Sequence, residues 1–281
     1  RLRPECSSNR NYLVNSLAPA TLPPADLPGL ERSWSRLVDA PDHSGRICTW
    51  HLLDSYARRS DQNARLTLLC IHGNPTWSYL WRRLVELAPS DVRVVAVDQL
   101  EMGFSERTGT TRRLANRIDD LSALTEQLGI TGSVVTVAHD WGGPISLGWA
   151  QNHLAQLVGV VLLNTAVHQP AGASAPTLIR LARSGPLLEF NTVRTTAFLR
   201  GTTALSGSRM SKQTAKAFRA PYASSARRTA IGAFVADIPL ESGHPSADTL
   251  DLIASNMANF AAVPMLLLWG PGDPVFSDLY L

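Results

Sequence analysis

Apolar positions along the chain fall into two alternating rhythms. Short continuous apolar runs at Leu66–Ile71, Val92–Val97, 134–137, 158–163 and 263–269 have the length and β-branched content of buried strands. Between and after them, 112–128, 144–152 and 249–260 carry apolar residues at helical spacing, the first closed by Gly129. Near the start, 34–38 and 47–53 predict two short strands around the turn Pro41-Asp42-His43-Ser44-Gly45, an antiparallel edge hairpin. A hairpin followed by repeated strand-loop-helix units predicts an α/β fold, with a mostly parallel central sheet and helices on both faces. After Asn164 the rhythm stops. Residues 167–245 mix Pro, Gly and Arg with helical stretches and hold no clear strand, the pattern of a helical cap inserted over the strand ends to close an apolar pocket. The expected division is a poorly ordered lead-in over 1–30, a first part of the core over 31–166, the cap over 167–245 and a second part of the core over 246–281.

Composition narrows the class of protein. With 281 residues, 44% hydrophobic and 17% charged, the chain is long enough for one large domain with an insertion. No apolar run approaches the roughly 18 residues that cross a bilayer, and Arg1-Leu2-Arg3 is followed by no hydrophobic signal core. Three Cys at no metal-ligand spacing, with Cys70 in an apolar run as a buried thiol, predict a reducing, cytoplasmic setting with neither a metal nor a cofactor. The net charge of +3 is unevenly spread: the cap segment holds ten Lys/Arg against three acids, which reads as a solvated basic face. Nothing in the pattern matches a nucleic-acid-binding module.

The candidate chemistry centres on Val134-Val135-Thr136-Val137-Ala138-His139-Asp140-Trp141-Gly142-Gly143. A β-branched run that meets a small residue, a carboxylate and two glycines, then a helix, is the strand-turn-helix of a nucleophile elbow, with Asp140 at the apex. The alternative, an Asp capping an ordinary helix, lacks the matching partners found elsewhere in the chain. After the strand Leu66–Ile71, the loop His72-Gly73-Asn74-Pro75-Thr76-Trp77 supplies one anion-binding amide, and the residue after the nucleophile supplies the other, assigning Asn74 and Trp141. A carboxylate that attacks an acyl carbonyl makes an anhydride and gains little, whereas attack on saturated carbon makes a stable alkyl ester. Asp140 therefore points to alkyl halides, epoxides or strained lactones. Asp273, just past the last apolar run, is the candidate acid that orients a general base, against the alternative of a turn Asp before Pro274. None of the seven His follows Asp273, where the chain order would place the base, and a final strand with its His is expected beyond Leu281.

The motifs HGNPTWSYLW, DQLEMGFSER, HDWGG and WGPGDPVF together resemble the haloalkane dehalogenases, most closely the third subfamily, which shades into the β-lactone decarboxylases of bacterial long-chain olefin biosynthesis. The cap run APYASSARRTAIGAFVADIPL and the preceding LLNTAVHQPAG resemble the decarboxylase branch. The resemblance covers roughly residue 28 onward. It implies Asp140 as nucleophile, Asp273 as acid, Asn74 and Trp141 as the clamp on the leaving anion, a hydrophobic small-molecule substrate, and fusion to or complex with a β-lactone synthetase of the acyl-adenylate ligase type. Three activities fit: β-lactone decarboxylase yielding cis-olefin and CO2, haloalkane dehalogenase, and epoxide hydrolase. An epoxide hydrolase commonly uses two cap Tyr, and this cap has one, Tyr222, placed here as a substrate-binding residue. An inactive fragment is the reading outside the enzymes. The family usually has Gly where this chain has Glu101; a positive φ there would cost Glu about 1 kcal/mol.

Overall fold

The computed structural model describes residues 17–58, 64–167, 179–180, 183–205, 210–241, 243–277 and 280. A two-residue strand β1 (Leu17–Ala18) precedes the hairpin β2 (Ser35–Pro41) and β3 (Ile47–Asp54). Then follow β4 (Leu66–Ile71), α1 (Arg82–Leu87), β5 (Val92–Val97), β6 (Arg107–Thr108), α2 (Leu114–Gln127), β7 (Val134–His139), α3 (Gly142–Asn152) and β8 (Leu157–Leu163). The chain continues through α4 (Gly185–Glu189), α5 (Ala197–Leu205), α6 (Lys212–Arg219), α7 (Thr229–Ala236), α8 (Ala247–Ser255) and β9 (Met265–Leu268). Between residues 167 and 245 the described residues form helices and turns and no strand.

Seven strands form one sheet in the order β2-β3-β5-β4-β7-β8-β9. The hairpin pairs are antiparallel, as is β3 with β5, and every pair from β5 to β9 is parallel. This is the α/β architecture the apolar rhythm predicts. All six residues of β5, Val-Arg-Val-Val-Ala-Val, are buried, as expected of a strand covered on both faces. Two expectations need correction. The lead-in is fixed from Leu17 onward: β1 pairs with β6, and Pro28 O accepts the Tyr79 hydroxyl at 2.6 Å; residues 1–16 lie outside the described residues. The run 263–269, read as a buried strand, contributes β9 at the edge of the sheet, with all four residues exposed. Its apolar content follows strand grammar, but among the described residues no strand pairs with its outer edge.

Two buried ionic knots tie the loops at the strand ends. Asp98, just after β5, accepts from His51 Nδ1 through Oδ2 and from the Ser78 and Phe104 amides, all at 2.7 Å. Burial alone would raise its pKa, yet His51 and these donors hold the carboxyl below its usual range. The second knot centres on Arg112, which is fully buried and donates to Asp42 at 2.9 Å, Glu101 at 2.7 Å and Asp120 at 2.8 Å. Asp42, His43 and Asp120 bring potential ligand atoms within 4.8 Å of one another, but the guanidinium already serves as their cation. Glu101 has φ 72°, in the left-handed region. Its side chain offsets that strain by accepting from Thr108 N, Thr108 Oγ1 and Arg112 at 2.5–2.8 Å. Arg112→Met would leave three carboxylates buried without their cation. The expected loss is about 3–5 kcal/mol of unfolding free energy, read by urea denaturation.

Candidate functional site

Parallel strands β4 and β7 lie side by side at the middle of the sheet, so their C-terminal loops emerge together. Asp140 leaves β7 at φ 55°, a strained value for a residue with a Cβ. Its amide donates to Asn164 O at 3.1 Å, and its carbonyl accepts from Thr165 Oγ1 at 2.6 Å and Gly143 N at 2.9 Å. These bonds fix the turn and aim the side chain across to the β4 loop, where Oδ1 accepts from Asn74 N at 2.7 Å. The approach is close enough that a Cβ on Gly73 would overlap the Asp140 carboxylate, and one on Gly142 would overlap Ile71 O.

Asp140 and Trp141 sit at the floor of a cavity of about 300 Å³. Its walls are mainly apolar, with Val167, Ile238, Leu250, Val275 and Phe276 among them. Burial raises the Asp140 pKa, His139 and the Trp141 and Asn74 amides pull it down, and Asp273 adds a further rise. The net direction is upward.

The Asn74 carboxamide donates from Nδ2 to Ile231 O at 3.1 Å, while its Oδ1 is buried without a partner. The Trp141 ring packs against Phe234, centroids 5.7 Å apart. Both are neutral donors beside the Asp140 carboxylate, which suits them to hold an anion. Asp273 Oδ1 accepts from Val275 N at 2.8 Å and Phe276 N at 3.0 Å, so one oxygen closes a turn, and its charge reaches Asp140. Asn164 joins the two loops: besides its carbonyl bond to Asp140, its side chain accepts from Gly270 N at 2.9 Å and donates to Phe276 O at 3.0 Å. Its position at a strand end was visible in the sequence, but this stitching was not.

Tyr222 is placed differently. Fully buried, it donates its hydroxyl to Thr76 O at 2.6 Å and accepts from Gly103 N at 3.2 Å. It latches the cap segment to two core loops and is absent from the cavity lining. The six described His are likewise structural in their contacts or lie off the cavity. His72, whose pKa burial lowers, donates from Nδ1 to Gly73 O at 2.8 Å and accepts from Gln99 N at 3.1 Å. His153 stacks on Trp149, and His244 donates to Ala236 O at 3.2 Å. His168 lies outside the described residues.

Residues 67–281 match the model of the alpha/beta hydrolase fold family. A cis-3-alkyl-4-alkyloxetan-2-one decarboxylase of Shewanella oneidensis is 34% identical over 227 residues, 76% of this chain and 69% of that protein. Haloalkane dehalogenase 2 of Mycobacterium bovis is 29% identical over 218 residues, 77% of this chain and 74% of that one. Among solved structures, the haloalkane dehalogenase DpaA of Paraglaciecola agarilytica superposes with a TM-score of 0.75 at 19% identity, covering 93% of this chain and 85% of the other.

A carboxyl whose folded pKa is raised stabilises the fold while protonated and loses that contribution as pH rises through the folded value. Asp140→Asn is therefore expected to raise the midpoint of thermal unfolding at neutral pH while abolishing covalent alkylation. In the unmodified protein, alkylation by a 1-bromoalkane, followed by intact mass, should decline on acidification with a midpoint above the ordinary Asp value of about 3.9.

Proposed function

Because the chain belongs to the α/β-hydrolase fold family of enzymes, we propose that it is a β-lactone decarboxylase with Asp140 as its nucleophile. The observation that carries this reading is a carboxylate at the strained elbow, at the floor of an apolar cavity. A carboxylate there selects saturated carbon, and the 34%-identical relative is named for a dialkyl oxetanone, a strained ring with such a carbon.

The cycle closes on Asp140 and Trp141, which line the cavity, and on Asn74, whose amide holds Asp140. An Asp140 oxygen bonds to ring C4 as the C4–O bond breaks, which inverts C4 and leaves a carboxylate on C3. Asn74 and Trp141 clamp that carboxylate as it forms. The bond from C3 to the carboxylate then breaks. Its electron pair becomes the C3–C4 π bond, and the C4–O bond to Asp140 breaks in turn. CO2 departs and the Asp140 carboxylate is restored, with no proton moved and no water consumed. Inversion has set the Asp140 oxygen anti to the carboxylate, so a cis lactone returns a cis olefin. An apolar wall favours the second step, because charge on the carboxylate disperses as CO2 forms.

A hydrophobic dialkyl β-lactone is the substrate class, and a β-lactone synthetase of the acyl-adenylate ligase type, fused or in complex, is the partner that would supply it. A cytoplasmic setting is supported by two buried free thiols, Cys48 and Cys70, whose pKa values burial raises. Asp273 stays the candidate acid for orienting a His base, with its Oδ1 held by the Val275 and Phe276 amides.

The test is a cis-3,4-dialkyl β-lactone supplied in 18O-water. Equal amounts of cis-olefin and CO2, with no label entering Asp140, are expected, and Asp140→Asn should reduce both products to background. Bromide release from 1-bromoalkanes with no olefin from the lactone would replace this reading with haloalkane dehalogenase.

A further inference from the structure

The buried face of α2 carries two charged residues, Asp120, which is paired with Arg112, and Arg117, which has no ion pair among the described residues. Arg117 is 3% exposed, and none of its three guanidinium nitrogens has a hydrogen-bond partner. Burial pushes its pKa down to about 10, against an opposing pull from Asp237, so it stays charged at neutral pH. Its one strong directional contact is with a ring: the guanidinium carbon stands 3.6 Å from the centroid of Phe234. The electron-rich face of an aromatic ring is attractive to a cation, most so where water is excluded.

Phe234 belongs to α7, and that helix touches both members of the anion clamp. The Phe234 ring meets Trp141 at 5.7 Å and 55°. Three residues earlier, Ile231 O accepts the Asn74 carboxamide. Asn74 follows β4 and Trp141 follows β7, so neither loop alone sets their relative orientation; α7 contacts both. Arg117 reaches the same helix from the core.

We propose that Arg117 and Phe234 are positioning residues: by pinning α7 to α2, they orient the Asn74 carboxamide and the Trp141 indole toward the anion released at Asp140. The proposal rests on the clamp assigned above. It accounts for a charge kept in the interior without an ionic partner, because an apolar side chain at 117 would fill the space but would not grip the ring.

Bromide quenching of tryptophan fluorescence tests this independently of turnover. The relevant signal is the component lost in Trp141→Phe. Phe234→Leu keeps an apolar side chain and removes the ring face; Arg117→Met removes the charge; Arg117→Lys keeps the charge and loses the planar fork. Phe234→Leu and Arg117→Met are each expected to weaken bromide about tenfold, with Arg117→Lys recovering part of the loss. Olefin formation should fall in kcat more than it rises in KM. A purely structural role would lower the thermal midpoint and leave bromide affinity unchanged. Unchanged affinity in folded Phe234→Leu overturns the proposal, even where Arg117→Met fails to fold. A wild-type protein that binds bromide at Trp141 but makes no olefin removes the decarboxylase reading and leaves this one standing. A wild-type protein with no Trp141-dependent quenching removes the clamp and this proposal together.

Discussion

The structure depends on one close approach: a carboxylate forced across the gap between two neighbouring parallel strands until it meets a backbone amide. Asp140 reaches Asn74 N at 2.7 Å only because its own backbone is held at φ 55° and because Gly73 and Gly142 present no Cβ. Each of these conditions is costly alone. Together they are stable because Asn164, Thr165 and Gly143 fix the turn from behind through three hydrogen bonds. Around this point the chain arranges loops from β4, β7, β8 and β9, and the helix α7 lies against the two side chains that flank the carboxylate. The Asp140 turn is thus held in place by bonds to backbone atoms.

Sequence made the elbow legible because its constraints are local. A β-branched run, a small residue, an acid and two glycines within ten positions leave few other conformations. The edge hairpin and the mostly parallel sheet followed from the same rhythm. What the sequence hid was long-range. Asp98 and His51 are 47 residues apart and meet because β3 runs antiparallel beside β5, a register that composition does not encode. Tyr222 was visible as the cap's lone tyrosine, yet its hydroxyl turns to backbone atoms at Thr76 and Gly103. Burial of 263–269 was inferred from apolarity, and β9 is exposed because burial depends on what packs against a strand as well as on its residues. Arg117 left a signal that periodicity could have caught: it shares the buried stripe of α2 with Leu114, Ile118, Leu121 and Leu124.

Ionic groups in this protein tend to work from inside. Arg112 collects three carboxylates, Asp98 gathers a histidine and two amides, and Arg107 donates to the carbonyls of Met102 and Ser105. All lie where loops leave the sheet on the side of the site. A loop has no ladder of its own to hold it, and buried charges with fixed geometry supply the rigidity that strands obtain from pairing.

Glu101 carries a consequence for how such a chain changes over generations. Glycine would occupy its left-handed backbone more easily, but Glu101 is now an acceptor for Thr108 and Arg112. A single step to glycine would strand part of the Arg112 guanidinium, and a single step away from Arg112 would strand Glu101. The two positions are therefore coupled: the effect of a change at either depends on which residue stands at the other.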